Sequence, residues 1–230
     1  MSPPPSRLLL KLSGEALKGQ EGVFSPDALA HIAEELASLV DVQLAIVVGG
    51  GNIMRGARVS WPDRVEADTL GMLATVMNGL ALRTFLEARR REVVVQSAIP
   101  TGLTPAVSIR DARKALNRGA IVLFVGGTGS AYVTTDTAAA LRAVAVDADL
   151  LAKGSNVRGV FAADPDHGRA PDLIDSLSYD QFIGARYGVM DLIAVEICRE
   201  ARVPIEVFDL AAPEALARIA SGERVGTRIG

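Results

Sequence analysis

Three observations predict an α/β fold in which a mostly parallel sheet is covered on both faces by helices. Short apolar runs alternate along the chain with longer segments of helical periodicity. The runs are continuously apolar instead of alternating, as expected of strands buried on both faces. Glycine-rich turns close several of them, and an open parallel sheet binds its ligands at those strand ends. With 230 residues and 49% hydrophobic composition, the chain has enough apolar surface for a sizeable core and more than a disordered chain carries.

The first strand is Arg7 to Leu12 (RLLLKL), after a short tail, residues 1–6, expected to be disordered. Lys11 is its anomaly, because a lysine inside an apolar strand needs a pocket or a partner unless it snorkels out at the strand end. Ser25-Pro26-Asp27 supplies a helix start, and apolar residues at helical spacing follow from Leu29 to Leu39 or Val40. A second strand, Leu44 to Val48, runs into Gly49-Gly50-Gly51-Asn52, with Arg55 and Arg58 close behind. Trp61-Pro62 reads as a packing anchor. Glu66 to Arg90 is the longest helical pattern, and its middle, GMLATVMNGLAL, is apolar on nearly every side, which points to burial in a core or against a second copy. Arg89-Arg90-Arg91 reads as dipole complementation at a helix C-terminus and solvated surface.

Glu92 to Ser97 forms a third strand and Arg110 to Asn117 a short helix. Ala120 to Val125 is a fourth, fully buried strand, followed by GGTGSAYVTTD and then by the helix former TAAALRAVAV. Asp149 to Lys153 is a fifth strand with a terminal lysine, and the polar loop after it should contain a small hairpin. Helices over Tyr179 to Tyr187 and Met190 to Arg202, a strand from Ile205 to Phe208 and a helix from Pro213 to Ala220 complete the chain. No apolar run approaches the length of a membrane span. Residues 7–230 are expected to form one domain with acceptor-side features mainly before about residue 130 and donor-side loops after it.

Composition narrows the function. A net charge of -3, a pI near 5.5 and 4% aromatics argue against a nucleic-acid surface. The lone Cys198 rules out an intrachain disulfide framework, fits a reducing compartment and reads as core. His31 and His167 show no metal-ligand spacing. The N-terminal MSPPPSR lacks the apolar stretch of a signal peptide, so a cytoplasmic protein with no membrane partner is expected.

The stretch from Gly126 to Asp136 concentrates the chemistry. Glycines let the backbone approach an anion closely, and the helix N-terminus that follows attracts negative charge. An ordinary strand-to-helix turn with Asp136 or Thr135 as N-cap is the plain alternative. The triple glycine suggests a second phosphate cradle, with Arg55 as a forked donor. Neither a Walker A pattern nor a complete dinucleotide fingerprint is present. Two strand-end lysines, an arginine, carboxylates and several glycine turns fit phosphoryl transfer, in which positioning and charge neutralisation do most of the catalysis.

KLSGEAL at Lys11 to Leu17, VVGGGNIMRG at Val47 to Gly56, GMLATVMNGLA at Gly71 to Ala81, TGSAYVTTDTAA, GVFAADP and VMDL together resemble the bacterial-type uridylate kinases of the amino acid kinase superfamily. The motifs cover nearly the whole chain after residue 6. The resemblance implies a three-layer αβα fold, a homohexamer and magnesium-dependent transfer of the ATP γ-phosphate to UMP, a step of pyrimidine nucleotide biosynthesis. It implies that Lys11, Leu12, Ser13, Gly14 and Gly51 hold the ATP phosphates, and that Ser155, Asn156, Phe161 and Asp164 surround the adenosine. Gly50, Asp68 and the run Thr128, Gly129, Ser130, Ala131, Tyr132, Val133, Thr134 and Thr135 are implied to surround UMP. Lys11 and Arg55 would stabilise the transferring group, Asp136 and Asp191 would orient the lysine and the hydrated Mg2+, and Lys153 would be a further catalytic lysine. Asp191 could instead cap the helix it begins.

Ser130-Ala131 replaces the family's usual Asn-Pro, and Tyr132-Val133 stands where two aromatics are common. Strict preference for UMP therefore does not follow from the resemblance. Arg158 and Asp209 replace a common Asp and a frequent Asn, and the residues of a GTP effector site do not carry over. The alternatives are a superfamily kinase with another acceptor and a non-catalytic nucleotide- or oxyanion-binding relative.

Overall fold

The computed structural model describes residues 3–19, 22–54, 63–162 and 172–230. Its eight strands are β1 (Arg7–Leu12), β2 (Gln43–Val48), β3 (Val93–Ser97), β4 (Ile121–Val125), β5 (Leu150–Ser155), β6 (Ser176–Leu177), β7 (Ile205–Asp209) and β8 (Thr227–Ile229). Seven helices intervene: α1 (Pro26–Ser38), α2 (Arg64–Glu87), α3 (Ile109–Asn117), α4 (Thr135–Ala145), α5 (Tyr179–Ala185), α6 (Leu192–Ala201) and α7 (Ala215–Ala220). One sheet runs in the order β3-β4-β2-β1-β5-β7-β8-β6, and every pairing is parallel except β7 with β8.

The alternation of side chains along the strands sorts the core into two layers. Leu8, Leu10 and Leu12 of β1 pack with residues of α1, α2 and α7 on one face. Leu9 packs with α3, α4, α5 and α6 on the other. Both faces of the central strands are thereby covered, which is why their sequences carry no polar alternation.

Local chemistry sets the helix starts. Ser25 and Ser108 accept from backbone N–H groups of α1 and α3, and Ser178 with Gln181 forms a capping box on α5. The α2 helix begins on Asp63, whose carboxylate accepts from Val65 N–H and Glu66 N–H.

The structure departs from the sequence reading at the edge strands, at Arg89 and Arg91, and at α2. The edge strands β6 and β8 were not anticipated: they are two and three residues long, and SL and TRI carry no strand pattern. Besides its pairing with β7 and β6, β8 is tied down by Glu206, a fully buried carboxylate on β7 that accepts from Val225 N–H (2.9 Å), Gly226 N–H (3.2 Å) and Arg228 Nε. Arg89 and Arg91 are not merely solvated: they donate to the carbonyls of Ala30 and Ala37 and so tie the end of α2 to α1. Finally, α2 does have the length and mean hydropathy of a possible membrane span, but it packs against α1, β3 and β4 and buries Asn78, as a core helix does.

The expected hairpin after β5 is present in its described arms. Phe161 bridges Leu173 in antiparallel fashion, and Ala162 N–H donates to the Asp172 carbonyl. Trp61-Pro62, Arg58 and His167 lie outside the described residues.

Candidate active site

The register of β1 on β5 places Lys11 directly opposite Lys153. Two ammonium groups on neighbouring strands repel each other, and burial worsens the repulsion. Asp136, in the first turn of α4, relieves it. Its Oδ1 lies 3.0 Å from Lys11 Nζ, and its Oδ2 accepts from Lys153 Nζ. Lys153 also donates to the Val189 carbonyl, and Asp191 N–H reaches Asp136 Oδ2 at 3.4 Å. All three side chains are at most 13% exposed.

Burial alone would push the Asp136 carboxyl up, but the ammonium groups of Lys11 and Lys153 outweigh it and hold the group below the ordinary carboxylate value. The Lys153 ammonium is pulled down by burial and by the Lys11 charge, with Asp136 opposing. The Asp191 carboxylate also acts on Lys153, so the two ammonium groups face two carboxylates, and it is their placement at the strand ends that suits a phosphate.

Asp191 occupies the N-cap position of α6, yet its side chain makes no capping bond. Its Oδ2 instead accepts from Thr134 Oγ1 at 2.6 Å and Thr137 Oγ1 at 3.2 Å. The cap of α4 is Thr134, whose hydroxyl accepts from Asp136 N–H. Neither Asp136 nor Thr135 plays that part, so the Asp136 carboxylate is free to face the lysines. The turn before it needs Gly126, whose φ is +78° and where a Cβ would sit 2.9 Å from the backbone nitrogens of Ala98 and Ile99.

Lys11 and Lys153 line one cavity, and Thr134 and Thr135, just before Asp136, line a second. The larger, about 1020 Å³, is lined by Lys11, Ser13, Lys153, Ser155, Asn156 and Phe161 from the predicted set. The smaller, about 410 Å³, is lined by Gly50, Gly51, Asp68, Ser130, Val133, Thr134 and Thr135. Gly51, expected on the ATP side, thus lines the smaller cavity beside Gly50. Leu12 is fully buried, Gly14 is buried as well, and neither lines the larger cavity.

Thr128, Gly129, Ala131 and Tyr132 form the turn outside the wall of the smaller cavity. Tyr132 is 67% exposed with φ +63°, its N–H donates to Asp68 Oδ2 at 2.8 Å, and the Arg64 guanidinium lies over its ring, 5.2 Å from the centroid. Arg55 and Asp164 lie outside the described residues.

Sequence reading missed His31, Tyr187 and Leu210 on the larger wall and Arg64 on the smaller. Arg64 had a readable signal, since it stands four residues before Asp68 and bonds it at 2.7 Å. His31 had none; it comes to the wall because α1 packs beside the end of β1. Asp209, noted as a departure from the family pattern, lines the larger cavity, and its Oδ1 accepts from Ala211 N–H. Arg158 is exposed.

Residues 6–209 match the amino acid kinase family. The chain belongs to the amino acid kinase family. Among members of that family, it is 45% identical to the uridylate kinase of Pseudomonas putida, over 99% of this chain and 94% of that one. It is 43% identical to the uridylate kinase of Psychrobacter cryohalolentis, over 99% and 98%. The UMP kinase structure from Bacillus anthracis superposes with a TM-score of 0.93 at 38% identity, covering 99% of this chain and 96% of that one. The three-layer αβα architecture expected from the sequence is the one the family shares with this chain.

Proposed function

We propose that this chain is an ATP-dependent UMP kinase, moving the γ-phosphoryl group of ATP to a phosphate oxygen of UMP to give ADP and UDP. The observation that carries the reading is the Lys11–Asp136–Lys153 cluster, whose two lysines line the larger cavity while Thr134 and Thr135, just before Asp136, line the smaller. The larger cavity would take ATP, with Ser155, Asn156, Phe161 and Asp164 about the adenosine. Lys11 to Gly14 and Gly51 would lie along the phosphates. The smaller would take UMP between Gly50, Asp68 and the turn from Thr128 to Thr135. Relatives named uridylate kinase across the full length of the chain support the choice of acceptor.

A phosphate monoester has a second pKa of about 6, so UMP brings an ionised nucleophilic oxygen and no general base is required. The obstacle is repulsion between two anions. As the bond to the ADP oxygen breaks and the bond to the UMP oxygen forms, Lys11 and Arg55 would neutralise the three equatorial oxygens, with Lys153 and the N–H groups of the glycine turns assisting. Asp136 holds both lysines in place for this.

Among the described residues no three His, Cys, Asp or Glu side chains gather about one point. Mg2+ would be carried in on ATP, with Asp136 and Asp191 facing its water shell. Bound magnesium supplies charge screening and polarisation of the transferred group. Residues 7–230 would act as one domain, in the cytoplasm, as a homohexamer with ATP and UMP as its only required partners and neither nucleic acid nor membrane among them.

The test is phosphate transfer from Mg-ATP to UMP, dUMP, CMP, AMP and GMP, with a magnesium-free control. Magnesium-dependent formation of UDP above all other products is expected. Transfer to none of the five, with ATP still bound, would overturn the reading.

A further inference from the structure

Both glycine turns are fastened to the same helix by two buried polar side chains three residues apart. Asn78 of α2 is fully buried, and its Nδ2 donates to the Gly49 carbonyl at 2.6 Å and to Asn52 Oδ1 at 2.7 Å. Asn52 Nδ2 returns a bond to Asn78 Oδ1 at 3.1 Å and donates to the Val23 carbonyl at 2.7 Å. Thr75, 2% exposed, accepts from Gly126 N–H at 2.6 Å and gives its own proton to the Met72 carbonyl at 2.7 Å.

Packing repeats the arrangement. A Cβ at Gly50 would stand 2.6 Å from the Gly71 carbonyl oxygen and 3.0 Å from Ala74 Cβ, so the triple-glycine loop lies directly on the helix. A Cβ at Gly79 would stand 2.3 Å from Val125 Cγ1, so the helix also rests on the end of β4, immediately before Gly126.

We infer that Thr75 and Asn78 are positioning residues for phosphoryl transfer, setting the placement of the two turns relative to one another through the rigid interior of α2. The inference rests on the functional reading above. A helix interior has little freedom to adjust, because each turn is fixed by its own backbone bonds, and three residues separate the two attachment points by about 4.5 Å along the axis. In-line transfer tolerates little error, since a displacement of about 1 Å can cost on the order of 100-fold in rate. Neither residue needs to touch the transferring group for its loss to be felt there.

Thr75→Val keeps the shape of the side chain and removes the acceptor for Gly126 N–H, whereas Thr75→Ser keeps the acceptor. Asn78→Asp keeps the size and turns a donor toward two oxygens into a third oxygen. The measurements are kcat and KM, the Kd of ATP and of UMP alone by calorimetry, and amide hydrogen exchange over 49–52 and 126–129 without nucleotide.

Thr75→Val should lower kcat by about 10- to 100-fold with the dissociation constant of ATP unchanged; because Thr75 also lines the smaller cavity, the Kd of UMP is read separately from kcat. Exchange over 126–129 should quicken, and Thr75→Ser should restore both. Asn78→Asp should do the same over 49–52; if it does not fold, Thr75→Val carries the test alone. Unchanged kcat in Thr75→Val, or a loss seen wholly as weaker nucleotide binding, would overturn the inference. Exchange needs no substrate, so a wild-type chain that phosphorylates no monophosphate would defeat the functional reading, whereas unchanged exchange in Thr75→Val would defeat the positioning role.

Discussion

Asp136 must compensate two ammonium groups where little water reaches, and substitution there separates charge from shape. Asp136→Asn keeps the volume and leaves Lys11 and Lys153 buried without the carboxylate that bonds them both. A loss of about 3–5 kcal/mol is expected, as for a buried pair broken from one side, read as a fall in the urea midpoint at pH 7. The folded pKa of Asp136 lies below the unfolded value of about 3.9, so its contribution is fully present above that pH and fades as pH falls through the folded pKa. The gap between wild-type and variant midpoints should therefore be constant near neutrality and narrow in acid. A gap that stayed constant down to pH 2 would contradict the pairing. Lys11→Ala bears on the chemistry: kcat should fall by roughly 100- to 1000-fold, as when one charge-stabilising donor is removed, while the far-UV spectrum stays that of the wild type. Lys11 and Lys153 were legible in the sequence because a lysine at the end of an apolar strand has no ordinary reason to be there. Their juxtaposition was not, because it depends on the register between β1 and β5, strands more than a hundred residues apart.

Elements were read well where periodicity was strong and poorly where tertiary contacts did the holding. The strand β1 keeps the predicted limits, and β2, β3, β4, α2 and α3 differ from them by one to three residues, because continuous apolar runs and helical spacing fix them locally. The β8 strand has no such pattern; it is placed by pairing with β7 and β6, by the buried Thr227 and Ile229, and by Glu206, which receives two backbone N–H groups and Arg228. Glu206→Ala should cost about 3–5 kcal/mol, since it leaves a partly buried arginine and two amides without their shared carboxylate. Faster hydrogen exchange over 225–229 than over β1 would locate the damage, and uniform acceleration across the sheet would argue that β8 is not held this way. The start of α4 carries the same lesson. Three consecutive residues could cap it, and the choice of Thr134 follows from Asp136 being drawn to the lysines, which only the folded sheet provides.

At the scale of the molecule, Val65, Leu73 and Met77 on α2 are 44–50% exposed and lie on one stripe at multiples of four residues. Their exposure supports the proposed self-association. Leu73→Glu with Met77→Glu should reduce the mass measured by light scattering to that of a smaller species without altering the monomer's circular dichroism. An unchanged mass would remove α2 from the interface. The overall architecture was legible because strand and helix alternate so regularly. The order of the strands was not, since nothing local says that the first strand occupies the middle.

That central place has a consequence for the chain as it is made. All four strands on one side of the β1–β5 boundary come from residues up to 125, and all four on the other from residues 150 onward. A nascent chain can therefore complete half a sheet and wait, with RLLLKL as an unpaired border, until Leu150–Ser155 leaves the ribosome. Unpaired borders invite other chains, and a lysine on one discourages them. Lys11 would then guard the growing polypeptide against its neighbours before it has any phosphate to meet.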